Sequence, residues 1–355
     1  MDQPSTTPWR RDPGVLAAGL QAWAGARRGP DAVVTDVRTP GSGMSNDTVL
    51  FRLDGDEVVA RLAPAPDAFP TFPSYDFEFE RRVIELVRAR TTVPVPEVLH
   101  VESSDAFLGV PFMVVRAVAG VVPGDNPPYL IDPDGWFLRG SAQDWRRMER
   151  STVEVLARLH AVGDGDDTAF LRLDGPGDTA LARQLSNQRA YYDWVRDGRE
   201  VPVLARAFAA LGATLPANDR SVLNWGDSRP GNIIFRDFEP VAVLDWEMAA
   251  VGPPEVDLAW AVFFHRFFAD MAAHYGLPPV PAMFDADEMV GLYHQLTGTA
   301  LDDLRWYLAF AGLRFGIILT RMSLRSIHFG VSEPPVDEDG LMLFKPLLDQ
   351  LLDQL

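Results

Sequence analysis

The chain has 355 residues, 47% of them hydrophobic and 23% charged, enough apolar material for one large domain or a two-lobed one with a real core. Its net charge of −18 opposes binding to nucleic-acid phosphates and favours cationic small molecules. It has no cysteine, so disulfides and thiolate metal sites are excluded and a reducing cytoplasm is expected.

The N-terminal MDQPSTTPWRRDPG lacks the apolar core of a signal peptide. Helical spacing begins at 12–28, where Asp12 is placed to cap, Pro13 suits the first turn, and Leu16, Leu20 and Trp23 share a face. Strand patterns follow at 33–38, 48–53 and 57–62, the last two joined by the hairpin signal Asp54-Gly55-Asp56. Between the first two strands lies GSGMSNDT, residues 41–48. Gly41 and Gly43, on either side of Ser42, allow backbone amides to approach phosphate oxygens, and Ser45 and Asn46 can donate to them. This loop matches neither a Walker loop nor a Rossmann fingerprint.

A charged helix is predicted over 75–90, and strands near 98–101 and 112–118 complete a five-stranded sheet with one helix. Residues 120–141, rich in Pro, Gly and Asp and carrying Trp136 and Phe137, read as a long irregular insertion suited to a functional flap. From Gln143 onward helices dominate. Trp145, Met148, Thr152, Val155, Leu156 and Leu159 form a core-packing stripe. Further helical patterns run at 178–197, 254–275, 286–297, 301–326 and 340–355, the last with Leu347, Leu351 and Leu355 on one face. The most apolar stretches, 258–268 and 308–319, are short and interrupted by Arg266 or Arg314. They are expected as buried helices of a soluble protein, without a membrane partner.

The chemistry concentrates in residues 224–257, NWGDSRPGNIIFRDFEPVAVLDWEMAAVGPPEVD. Val222 and Leu223 approach a Gly226 turn that presents Asp227, Asn232 follows five residues later, and the apolar run 241–244 delivers Asp245 from a strand end. An aspartate, an asparagine and a second aspartate on adjoining strand ends suit metal-assisted phosphoryl transfer. The first orients and deprotonates an acceptor hydroxyl, and the other two hold a Mg²⁺ that bridges nucleotide phosphates. The scattered histidines offer no His-Glu-x-x-His spacing, and there is no Gly-x-Ser-x-Gly elbow, so zinc and serine hydrolases are not expected.

The ordered set Gly-Asp, Asn, Asp-Trp-Glu and Asp-Leu-Ala resembles the catalytic segment of the aminoglycoside phosphotransferase family, a small-molecule branch of the protein-kinase-like fold. The resemblance covers roughly residues 30–330. It implies a two-lobed α+β fold, with a small five-stranded N-terminal lobe and a mainly helical C-terminal lobe. The expected division is a helical extension at 1–30, a nucleotide-binding lobe at 31–118 and a catalytic and substrate-binding lobe at 119–355.

The resemblance further implies ATP and Mg²⁺ as cofactors and a small-molecule hydroxyl acceptor, cationic in the leading case. An aminoglycoside is the leading acceptor, with antibiotic resistance as the consequence. Asp285, Asp287, Asp302, Asp303 and Asp337 to Asp339 are the candidates for meeting its amines. Arg61 would be the phosphate cation, paired with Glu78 or Glu80, of which Glu80 in FERRVIEL aligns better with the family's helix motif. Backbone groups around Val115 and Ala117 would bind adenine, and Asp257 in EVDLAW would brace the catalytic loop. One departure stands out: the family's His-Gly-Asp is Trp225-Gly226-Asp227 here, with an indole filling the histidine's space. The alternatives are a kinase of a sugar, amine, macrolide or hydroxyacyl compound, or a nucleotide-binding pseudokinase without catalysis.

Overall fold

A computed structural model describes residues 11–39, 47–125, 127–342 and 344–355. The chain divides into two compact units, one comprising residues up to Ile84 with Pro96–Val118, the other Glu85–Val95 with Ala119–Leu355.

The first unit is an antiparallel sheet of β1 (Val34–Arg38), β2 (Asp47–Leu53), β3 (Asp56–Leu62), β4 (Val98–Glu102) and β5 (Phe112–Arg116), in the order β1-β2-β3-β5-β4. Asp54 and Gly55 both take positive φ, 54° and 91°, which is the twist a two-residue hairpin needs. That turn pairs Leu53 with Asp56, so Val49, Phe51 and Leu53 share the buried face of β2.

Helix α1 (Pro13–Arg28) starts where Asp12 accepts from the Gly14 and Val15 amides. It is no loose extension. Trp23 is buried with its ring 5.6 Å from Phe112, edge to face, and Arg27 pairs at 2.8 Å with the buried Glu102. Helix α2 (Phe77–Arg90) carries Glu80 on its buried side.

The second unit holds α3 (Ala142–His160), α4 (Ala180–Val195), α5 (Pro202–Ala213), α6 (Glu255–His274), α7 (Ala286–Thr297), α8 (Arg305–His328) and α9 (Lys345–Leu352). Two short antiparallel pairs present the 224–257 segment: β6 (Val222–Asn224) with β9 (Ala250–Gly252), and β7 (Ile233–Arg236) with β8 (Glu239–Val243). Residues 85–95 group with this unit, and the Val243 amide donates to the Pro94 carbonyl at 2.8 Å.

Helix α8 is long and apolar, but 72% of its most apolar window is buried among its neighbours, as a core helix requires. Helix α5 is absent from the sequence expectations, although Pro202 at its start and the buried set Val203, Leu204, Ala207, Phe208 and Leu211 carry the helical spacing. Helix α9 is shorter than expected, because residues 338–341 form a separate 3₁₀ turn.

The flap expected at 120–141 is packed down instead. Val121 pairs with Phe235 as an isolated bridge, while Tyr129, Leu130 and Phe137 are buried. Trp136 stacks on Phe238 with centroids 4.2 Å apart, and the Trp145 indole donates to the Phe137 carbonyl at 3.0 Å. Its aromatic residues are what anchor it.

Candidate active site

Strand β6 leads into Trp225-Gly226-Asp227 through a backbone conformation only glycine tolerates. Gly226 sits at φ +91°, and a Cβ there would lie 2.1 Å from the Met248 carbonyl oxygen. The turn's amides are held by Asp257 in the first turn of α6, which is fully buried. Its Oδ2 accepts from the Trp225 N–H at 2.7 Å and its Oδ1 from the Gly226 N–H at 2.9 Å. His160 Nε2 lies 3.1 Å from the same Oδ2, and its Nδ1 is 3.1 Å from the Tyr293 hydroxyl. The Ser228 hydroxyl donates to the Asp257 carbonyl at 2.7 Å. The brace implied by the resemblance is thus a carboxylate at a helix N-terminus that satisfies two backbone donors at once.

Asp227 is gripped from both sides. Oδ1 accepts from the Trp260 indole at 2.7 Å and from Arg229 Nε at 3.1 Å, and Oδ2 accepts from the Asn232 amide at 2.6 Å. The side chain keeps 17% of its surface exposed, so the carboxylate is oriented without being sealed off. Asn232 also donates to the Asp227 backbone carbonyl at 3.1 Å. Both neighbours are acceptors, so the amide nitrogen must face them and the amide oxygen points elsewhere.

The other candidate ligand is tied to Asn232 by backbone. The Leu244 N–H donates to the Asn232 carbonyl at 2.9 Å, and Asp245 follows in a left-handed conformation at φ 58°. Trp225 is fully buried, and its indole N–H reaches the carbonyls of Leu244 at 2.8 Å and Asp245 at 3.1 Å. The residue that replaces the family's histidine therefore links the Asp227 turn to the Asp245 turn. Among the described residues, no group of three or more His, Cys, Asp or Glu forms a ready metal cage.

Arg229 is a central cation. Its Nη1 meets both oxygens of Asp125 at 2.7 and 2.6 Å, and its Nε meets Asp227. Burial works against its charge, but Asp227, Asp125 and Asp245 more than offset that and push its pKa above the ordinary value. A Cβ on Gly231 would fall 2.4 Å from Arg229 Nη1, so a larger residue there would push the guanidinium aside.

Four residues of this constellation escape the sequence reading: Asp125, Arg229, Trp260 and Arg314, whose Nη2 donates to the Gly226 carbonyl at 2.8 Å. Arg229 lies within the 224–257 segment and Trp260 ends the EVDLAW run, three residues beyond Asp257, so both are within reach of a positional argument. Asp125 and Arg314 carry no local signal.

In the first unit, Arg61 on β3 forms an ion pair with Glu80, their side chains 14% and 2% exposed. Glu78 pairs instead with Arg81 on the outer face of α2. Val115 lies in the interior strand β5, between β3 and β4, and the Ala117 N–H donates to the Glu57 carbonyl at 3.1 Å. Adenine at this edge would therefore have to meet backbone groups other than that N–H. The remaining candidates, Gly41, Ser42, Gly43, Ser45 and Asn46, lie outside the described residues.

A five-stranded antiparallel unit, a mainly helical unit and a braced Gly-Asp turn followed by Asn232 and Asp245 are the parts of a protein-kinase-like fold. The chain belongs to the phosphotransferase enzyme family (APH), whose model matches residues 36–296. Among solved structures it resembles a candidate aminoglycoside phosphotransferase from Ralstonia eutropha, with TM-score 0.64, 23% identity, and 94% of this chain and 96% of that one covered. Macrolide 2'-phosphotransferase MphH from Brachybacterium faecium aligns with TM-score 0.58 at 21% identity, covering 92% and 98% of the two chains. Aminoglycoside phosphotransferase APH(4)-Ia, in a ternary complex with AMP-PNP and hygromycin B, aligns with TM-score 0.56 at 17% identity, covering 94% and 98%.

Among curated proteins, the chain is 27% identical to mouse acyl-CoA dehydrogenase family member 10 over 84% of its length and 27% of the relative's. It is 28% identical to chicken acyl-CoA dehydrogenase family member 11, over 88% of its length and 40% of the relative's. The chain thus spans well under half of these curated relatives.

Proposed function

We propose that this chain transfers the γ-phosphoryl group of ATP to a hydroxyl of a small molecule in a reducing cytoplasm, with Asp227 as the general base. The observation that carries the reading is the three-point grip on the Asp227 carboxylate, which leaves it partly exposed. A carboxylate held in one orientation can accept a hydroxyl proton while the oxygen lines up on phosphorus. The pairing of Arg61 with Glu80 supports a nucleotide-side role for Arg61, held by its partner as a fork for phosphate oxygens.

The residues present fit a magnesium ion. Asn232 presents an amide oxygen on the side away from Asp227, and Asp245 supplies a carboxylate on the neighbouring turn. These are the hard oxygen donors that the ion takes when it shares its coordination with water and phosphate. When bound, the ion would neutralise charge on the nucleotide phosphates. Asp245→Ala is therefore expected to fold but to lose tight Mg²⁺-ATP binding, by about tenfold or more for a removed ion-binding carboxylate. Calorimetry with and without EDTA checks this. An unchanged Mg²⁺-dependent affinity would reassign the ligand.

The acceptor is read less readily as a polycation. Of the carboxylates nominated for ammonium groups, Asp285 caps α7 and Asp302 accepts from Asn218 at 2.9 Å. Asp303 pairs with Arg305, Asp337 caps a 3₁₀ turn, and Asp339 accepts from the Val203 amide at 2.9 Å. Beside Asp227 stand Trp260 and, 5.3 Å from the Arg229 guanidinium, the ring of Phe264. Both rings are buried and pack behind the carboxylate, so it is the engagement of the nominated carboxylates that favours a hydroxyl carried on an uncharged body, of macrolide or hydroxyacyl type, over an aminoglycoside.

ATP consumption with a panel of aminoglycosides, macrolides and hydroxyacyl compounds, at low and high salt, tests the choice. An uncharged acceptor should show a KM almost independent of salt, whereas a polycation's KM would rise as screening shortens to about 8 Å. Turnover confined to aminoglycosides with a steep salt dependence would restore the antibiotic reading. Mg²⁺-ATP binding with no turnover on any acceptor would favour the pseudokinase.

A further inference from the structure

Arg314 on α8 is 4% exposed and sits beneath the catalytic turn. One nitrogen, Nη2, donates to the Gly226 carbonyl at 2.8 Å. The guanidinium carbon lies 4.3 Å from the centroid of the Trp260 ring and 5.7 Å from that of Phe310. Among the described residues, the other two nitrogens, Nε and Nη1, are buried without a hydrogen-bond partner and Arg314 makes no ion pair. Burial draws its pKa down to about 10, while the charges of Asp257 and Asp227 act to hold it up.

For stability alone this is a poor choice of residue. A buried cation with no carboxylate in contact, met by Asp257 and Asp227 only at longer range and with two donors unsatisfied, costs free energy that a methionine of similar length would not. Arg229, in the same turn, shows what a structurally compensated arginine looks like, with carboxylates on both sides. What distinguishes Arg314 is the pair of groups it touches. The Gly226 carbonyl belongs to the peptide plane that ends at the Asp227 nitrogen, so holding that oxygen sets the plane from which the Asp227 side chain departs. The Trp260 indole is the donor to Asp227 Oδ1, and a cation over its face draws electron density from the ring and makes that N–H a better donor.

We infer that Arg314 is a positioning residue of the transfer reaction, aligning the Asp227 carboxylate through the Gly226 carbonyl and the Trp260 indole at the expense of fold stability. This rests on the phosphotransferase reading of Asp227. Asp257 and Arg314 then divide the task, one holding the two amides that lead into Gly226 and the other the carbonyl that leads out of it.

The test compares wild type with Arg314→Met, Arg314→Lys and Trp260→Phe in thermal melting, in steady-state Mg²⁺-ATP consumption with acceptor or with water, and in the indole N–H resonances of ¹⁵N-tryptophan-labelled protein. The Trp260 signal is identified by its loss in Trp260→Phe. Arg314→Met should melt at or above the wild-type temperature, yet lose about 10- to 100-fold in kcat, the loss expected of a misaligned catalytic group, with KM for ATP within about twofold. Its Trp260 resonance should shift and exchange faster with solvent.

Arg314→Lys keeps the charge without the planar face and should fall between the two in kcat, which keeps the inference testable if the methionine variant does not fold. An unchanged kcat with an unmoved Trp260 resonance overturns the inference. So does a loss of activity that matches the loss of folded protein. If wild type consumes no ATP with any acceptor or with water, the phosphotransferase reading fails. The Trp260 resonance then still decides whether Arg314 orders the turn.

Discussion

Asp227→Asn is expected to lower kcat by about 10²- to 10⁴-fold, the range that a positioned general base contributes. The substitution keeps the shape of the side chain but removes its basicity. It also replaces an acceptor-only group, which meets three donors, with one that must present an N–H₂ to at least one of them. If the new oxygen takes the Trp260 and Arg229 donors, the new amide nitrogen faces that of Asn232, and one of the two amides must turn. The loss should therefore fall mainly on kcat, with a smaller weakening of Mg²⁺-ATP binding passed on through Asn232. Steady-state kinetics on a validated acceptor, paired with nucleotide calorimetry, measures both. Turnover near the wild-type rate would remove Asp227 from the role of base.

Asp257→Ala is the substitution expected to damage the fold most. It strips the acceptor from the Trp225 amide, the Gly226 amide and His160 Nε2 at a site with no access to water. A buried donor left unsatisfied costs about 1–3 kcal/mol, so three together outweigh the relief of removing a buried charge. At about 2–4 °C per kcal/mol for a unit of this size, the melting temperature should fall by roughly 10 °C, and activity should vanish with the turn. Asp257→Asn keeps one acceptor oxygen and should melt between the two. A melting temperature for Asp257→Ala within about 3 °C of wild type would mean that Asp257 is not the brace, because the cited cost of even two orphaned amides exceeds that.

Much of this protein was legible before its fold was. Helix α1 follows from Asp12, Pro13 and a stripe of Leu16, Leu20 and Trp23, and the β2–β3 hairpin follows from Asp54-Gly55. These signals act over three or four residues, which is the reach of a capping bond, a hairpin turn or one helical repeat. The line of Gly226, Asp227, Asn232, Asp245 and Asp257 is legible for a related reason, since strand ends and a helix start present them in sequence order. The expectation of a flap at 120–141 misled because composition reports the lack of regular structure and says nothing about packing. Trp136 and Phe137 were free to anchor the segment as well as to cover a ligand.

The sequence by itself determined the class of fold, the positions of most helices and strands, and the order of the chemical groups along the catalytic segment. Only the tertiary structure decided how those groups are held. Asp125 reaches Arg229 across 104 residues, Arg314 reaches Gly226 across 88, and His160 reaches Asp257 across 97. No local periodicity encodes such pairs, because each depends on two elements being packed side by side. A charged or polar group in the interior is stabilised only by the partner that packing brings to it.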